Sequence, residues 1–156
     1  MRQTTPQPAH RNPQKRVYAH ALGVLALLAL AAVGASGCAG MKVAPASVLI
    51  EPAGGGNGKA VIVSTGAGEV TKGSANFEIT NQAITGAQAA FFEFVGAKTC
   101  AGTKWPKVVP FEIKVCNIEV NAKAGSYTSG VTATLETTYK VNAGSAVVLK
   151  TPLAQK

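Results

Sequence analysis

The sequence predicts an all-β protein, an antiparallel sandwich of about seven strands, and three observations carry that prediction. From Met41 onward Gly, Thr, Val and Ala dominate. Apolar residues recur at every second position or in short runs bounded by Gly, Asn and Pro. No stretch of this body carries a helical period, and with about 110 residues left after the distinct first third there is room for one modest core.

The elements follow in order. Ser47-Val48-Leu49-Ile50 reads as a first strand, closed by Glu51-Pro52 and the glycine-rich turn 54–58. Lys59 to Ser64 is a second. Ser74 to Thr80 sets Ala75, Phe77 and Ile79 on one face and Asn76 and Glu78 on the other, the alternation of a half-buried strand. Ala89 to Val95 is a fourth run, and because adjacent strand residues point to opposite faces, only one of Phe91 and Phe92 can enter the core.

Val108 to Val120 holds two apolar phases: Phe111, Ile113 and Val115, then Cys116, Ile118 and Val120. One long strand with a bulge near Val115 would reconcile them; two short strands are the alternative. Val131, Ala133, Leu135, Thr137 and Tyr139 alternate with Thr132, Thr134, Glu136, Thr138 and Lys140. A turn at Asn142-Ala143-Gly144 then leads into a last strand, Ser145 to Lys150. Strands at this spacing without helices between them indicate a sandwich of immunoglobulin-like type, with a small barrel as second choice.

The first third obeys a different grammar. Residues 1–20 are polar and basic, and Ala21 to Ala35 run fifteen residues without a charge. Basic, then apolar, then small is the order of a secretory signal-peptide helix. The run is short of the ~20 residues that span a bilayer; an uncleaved anchor is the competing reading. It ends in Ala35-Ser36-Gly37-Cys38, which resembles the lipobox of bacterial lipoprotein precursors, with Ala35 where that family most often has Leu. The resemblance implies lipidation of Cys38 and a membrane anchor of several acyl chains, which hold a protein far better than one. Ordinary cleavage leaving Cys38 as a free thiol is the alternative. The expected organisation is a signal peptide over 1–37, a mature tether over 38–46, the sandwich over 47–152 and a tail over 153–156. Ala39 lacks the Asp that retains many lipoproteins in the inner membrane, so the expected location is the outer membrane, facing the periplasm, in a cell with two membranes.

Cysteine arithmetic agrees. Of three cysteines, lipidation uses Cys38, and Cys100 and Cys116 remain as a pair. In an oxidising compartment their disulfide closes a loop of about fifteen residues and constrains the unfolded chain by about 3 kcal/mol; two separate buried thiols are the other outcome.

Thr99-Cys100, Cys116-Asn117-Ile118-Glu119-Val120, Gly125-Ser126-Tyr127 and Thr132-Ala133-Thr134-Leu135 together resemble the bacterial immunoglobulin-like repeats related to the ASPM, SPD-2 and Hydin domains. Phe77-Glu78-Ile79-Thr80-Asn81 is similar to that family's strand ending in Asn. The coverage is roughly residues 70–140. Val120-Asn121-Ala122 departs from the Phe-x-Pro of the family, and Asn81-Gln82-Ala83 from its Asn-x-Gly turn. The resemblance implies a fold and a role in adhesion, scaffolding or assembly, and it brings no active site.

Chemistry is sparse. All three arginines and both histidines precede Cys38, and aspartate is absent, so the remainder ionises mainly through eleven lysines and seven glutamates, about +4. That inventory leaves no Ser-His-Asp triad, two-His metal site, aspartyl dyad or arginine clamp after Cys38, and the expectation is a protein without enzymatic activity, metal or cofactor. The lysines are scattered singly, with only Lys104 and Lys107 close together, where phosphate-tracking surfaces cluster Lys and Arg, so no nucleic-acid partner is expected. The stretch 53–60 resembles a P-loop at a glance but has Ala53 and Ala60 where Gly and a hydroxyl belong, and 66–71 lacks the third Gly of a dinucleotide fingerprint; both read as turns or linkers.

The expected role is therefore a lipid-anchored envelope protein that binds a protein or envelope polymer. The alternative is a carbohydrate or small-ligand module using Trp105, flanked by Lys104 and Lys107 within the disulfide loop; packing of Trp105 onto the disulfide competes with it. Intact mass spectrometry of the chain expressed with its native leader is expected to show a product beginning at Cys38 with acyl mass added and gaining two hydrogens on reduction.

Overall fold

A computed structural model describes residues 39–156. The signal segment 1–37 and Cys38 lie outside the described residues. The strands are β1 (Gly40–Ala44), β2 (Val48–Ile50), β3 (Pro52–Gly54), β4 (Asn57–Gly58), β5 (Val61–Gly68), β6 (Ala75–Thr85), β7 (Phe92–Phe94), β8 (Lys104–Val108), β9 (Lys114–Ala122), β10 (Thr132–Val141) and β11 (Val147–Gln155). A four-stranded sheet runs β1-β5-β9-β7, and a five-stranded sheet runs β2-β11-β10-β6-β8. Strands β3 and β4 form a small separate hairpin.

The sandwich arises because the alternating residues of both sheets need one shared apolar interior. From the four-stranded sheet come Met41, Val63, Ala67, Ile118, Val120 and Ala122; from the other come Ala75, Phe77, Ile79, Leu135, Tyr139 and Leu153, with Val48 and Ile50 closing one side. The alternations in β6 and β10 thus point as their sequences indicate, and Phe92 is buried while Phe91 stays partly exposed. All pairings are antiparallel except β2 with β11, where Val48 and Ile50 lie beside Leu153 and Gln155 in parallel register.

Several expected boundaries change. Residues 40–44 of the expected tether form β1, which pairs with β5 (Met41 with Ala67) and buries Met41 in the core. The expected tail belongs to β11, because Leu153 and Gln155 are buried and Ala154 pairs with Thr132. The fourth run contributes only three strand residues, flanked by 3-10 turns at Ala89–Phe91 and Val95–Ala97. Residues 66–68 are not a turn but the end of β5. There is no bulge near Val115, since β5 pairs with β9 without a register shift. The chain instead breaks between β8 and β9, because Val108 closes the core while 109–113 turn from one sheet to the other.

The glycine-rich turn is required by space as well as by φ. A Cβ on Gly58 would stand 2.5 Å from Ile50 Cγ2 and 3.0 Å from Ala122 Cβ, so any side chain there displaces the core edge.

A covalent staple ties the four-stranded sheet to the segment that crosses to the other sheet. Cys100 bonds to Cys116 with Cα atoms 6.0 Å apart. Cys116 opens the inner face of β9, and Cys100 sits in the segment that leaves β7 for β8, so the bond joins the four-stranded sheet to the crossing between sheets. A buried polar chain extends the staple: the Cys100 N–H donates to Gln82 Oε1 at 2.7 Å, and Gln82 Nε2 donates to Thr137 Oγ1 at 3.1 Å. Replacing Gln82 with Leu leaves the Cys100 amide without its acceptor, and the expected loss is about 2–3 kcal/mol, read from denaturant melts of the oxidised protein.

Candidate functional site

The outward residues of the four-stranded sheet are set by the same alternation that fills the core. With Val63, Thr65 and Ala67 of β5 and Cys116, Ile118 and Val120 of β9 turned inward, Ile62, Ser64, Gly66 and Gly68 face out beside Val115, Asn117 and Glu119. Gly40, Lys42 and Ala44 of β1 complete this face. Lys42 pairs with Gly66, and Gly66 with Val115, so a glycine floor lies between a lysine and a valine.

The result is a groove of about 370 Å³ across β1, β5 and the start of β9, floored by Ser64, Gly66 and Gly68 and walled by Ile113 and Val115. A Cβ on Gly66 would stand 4.0 Å from both Ile113 Cγ2 and Val115 Cγ2, so a larger residue would fill the groove without disturbing the backbone. Ile113 is 72% exposed and Val115 50% exposed. At the other end of the face a hollow of about 430 Å³ is lined by Ile62, Val95, Gly96, Lys98 and Glu119. The opposite sheet turns out a row of Thr132, Thr134, Glu136, Thr138 and Lys140, with Glu136 ion-paired to Lys150 at 3.3 Å. One face of the sandwich thus carries a glycine-floored apolar groove, and across the other runs a threonine-rich strand.

The groove ends at the β8–β9 turn. The Glu112 N–H donates to the Val109 carbonyl at 3.1 Å, closing a four-residue turn with Pro110 and Phe111 at its centre. The side chain reinforces it, because Glu112 Oε2 accepts the Val109 N–H at 3.2 Å and Oε1 meets Lys114 Nζ at 2.7 Å. Phe111 has φ +67° at the position where such turns favour glycine, and its ring is fully exposed.

The residues singled out from sequence fall as follows. Trp105 lies on β8, not in a loop; it pairs with Phe77, shares that residue's inward side, and is half-buried against the core. Lys104 is ion-paired to Glu78 at 3.2 Å. Lys107 has φ +55°, and its N–H donates to Asn76 Oδ1 at 2.8 Å. These three line neither the groove nor the hollow. Cys100 and Cys116 form the staple, and Cys38 lies outside the described residues. Among the described residues no group of three or more His, Cys, Asp or Glu is placed to hold a metal ion. Sequence reasoning missed the groove; its signal was the phase of Phe111, Ile113 and Val115, together with glycines at 66 and 68.

No family model matches the chain, and no curated protein does. Among solved structures it is similar to the crystal structure of the periplasmic chaperone SfaE, with TM-score 0.50 and 12% identity, over 75% of this chain and 56% of that one. The chain therefore spans little more than half the length of that protein, and the likeness is one of fold: an immunoglobulin-like sandwich.

Lys114 first, and then the Val109 amide, hold the Glu112 carboxyl below the ordinary glutamate range. A depressed folded-state value means that the carboxylate supports the turn fully above the ordinary range and loses that support as pH falls through the depressed value. In an NMR titration the Glu112 carboxyl is expected to protonate at lower pH than a free glutamate, with the Val109 amide shift following it, and Lys114→Met should move that midpoint upward.

Proposed function

We propose that this chain is a non-catalytic, lipid-anchored protein of the cell envelope whose sandwich binds a protein or envelope polymer, in adhesion, scaffolding or assembly. The observation that carries the binding role is the outer face of the four-stranded sheet, where small residues floor a groove and Ile113 and Val115 wall it. A monomer gains nothing by leaving such a strip wet, and a shallow groove with an open floor fits the apolar side chains of a partner chain. The stapling disulfide suits an oxidising compartment. The signal-like segment and Cys38 supply the export and anchoring parts of the reading, and the likeness in fold to a periplasmic chaperone is compatible with it.

A photo-crosslinking residue at Val115, compared with one at Thr138 on the opposite sheet, tests the binding face in cells making the full chain. Discrete adducts at Val115 and none at Thr138 are expected. Equal labelling at both, or adducts at Thr138 alone, would move the binding role away from the groove.

A further inference from the structure

The turn between β8 and β9 stands at the end of the sandwich where the chain enters it. Gly40, the first residue of β1, pairs with Gly68. A Cβ built on Gly68 would lie 3.6 Å from the Glu112 carbonyl oxygen and 3.8 Å from Ile113 Cγ1. The entry strand and the 109–113 turn are therefore one strand apart. Cys38 precedes Gly40 by two residues, a separation that an extended chain covers in about 7 Å.

At the tip of this turn is Phe111, fully exposed, beside Val109, which is 46% exposed. The ring projects from a convex turn, a shape that penetrates a soft surface better than it fills a partner's pocket. Its position suits glycine, and an aromatic there, at φ +67°, gives up backbone comfort and gains no packing. The charges around it have one prevailing sign. Lys42, Lys72, Lys107 and Lys114 lie on β1, the β5–β6 loop and the two strands joined by the turn, against Glu69 and Glu112. Both glutamates are already ion-paired, to Lys42 and Lys114.

From this placement we infer that Phe111 and Val109 insert into the headgroup region of an anionic bilayer beside the anchor, giving the domain a second membrane contact that fixes its orientation. The inference rests on the reading of Cys38 as a lipid anchor. An aromatic ring with lysines around it is the composition of an interfacial contact, the ring entering the acyl boundary and the ammonium groups meeting phosphates. Held this way, the groove beside Ile113 opens close to the membrane plane.

The test uses the full chain expressed with its native leader and carrying Phe111→Trp, reconstituted into vesicles of phosphatidylethanolamine and phosphatidylglycerol with brominated acyl chains. The unsubstituted chain supplies the Trp105 background, and intact mass on the same sample reports the state of Cys38 independently. A blue-shifted emission that bromolipid quenches, present in the variant and absent from the parent, is the expected result. Emission at the wavelength of a water-exposed indole without quenching would overturn the inference, whether or not the mass shows acylation. Quenching in a chain without acyl mass would sustain the membrane contact while removing the anchor reading. A blue shift without lipid, accompanied by a doubled solution mass, would assign Phe111 to a contact between copies and overturn the lipid occupant. Phe111→Gly, which suits the local φ, should melt no lower than the parent yet lose the vesicle-dependent protection of the 109–113 amides from hydrogen exchange; retained protection would also overturn it.

Discussion

The Cys100–Cys116 bond and the buried glutamine behind it tie together what the chain order would otherwise leave loose. Between β7 and β8 the chain crosses from the four-stranded sheet to the five-stranded one, and the crossing segment has few apolar residues with which to hold itself down. Cys100 fastens it to β9 covalently, Gln82 receives its amide from β6, and Thr137 continues the link to β10. Gly102 N–H and Ile79 C=O add a backbone bond of 2.7 Å on the same side. Both sheets and the crossing are thereby referred to one buried point, and Phe77, Ile79 and Leu135 can pack against Val63 and Ile118 in one arrangement.

That arrangement gives the two outer faces different work. The five-stranded sheet exposes the threonine row of β10, a surface that water wets readily. In the four-stranded sheet the outer positions of β1 and β5 are small, so Ile113 and Val115 rise as a wall above a glycine floor. The contrast depends on register: Gly66 lies between Lys42 and Val115, and a slip of one residue would turn Val63 and Thr65 outward instead. The ends differ as well. At the end opposite the Phe111 turn, Gln155 accepts the Thr128 N–H at 2.6 Å and donates to the Phe91 carbonyl at 3.0 Å, so the last strand is closed by buried polar bonds. The end near Gly40 carries the exposed aromatic together with Lys72 and Lys107.

The strands with strict alternation were legible in the sequence, and β6 and β10 show why: Phe77 and Ile79, or Leu135 and Tyr139, cannot satisfy their neighbours in any other conformation. The pairing of Cys100 with Cys116 was legible from number and spacing. The ends of the domain were not. Residues 40–44 and 153–155 hold only Met41, Val43 and Leu153 as strong apolar signals, too few to show an alternation, and they become strands because β5, β10 and β2 offer them open edges. Trp105 looked like a loop residue for a similar reason: Pro106 and the surrounding lysines hide a short edge strand whose partner, β6, lies far back in the sequence.

The sequence by itself determined the all-β class, the alternation of β6 and β10, the two cysteines left to pair in the body and the absence of a histidine, arginine or aspartate after Cys38. Alternation specifies that two residue sets face opposite ways, and composition says what each set is made of. Which of two apolar sets is buried was decided only by the tertiary structure. Phe111, Ile113 and Val115 form as regular a series as Cys116, Ile118 and Val120, yet the staple at Cys116 and the packing of Ile118 on Val63 leave the first series in water. Burial belongs to the pairing of sheets and not to a segment, and so the groove, with the exposed turn beside it, came into view only when the two sheets closed on each other.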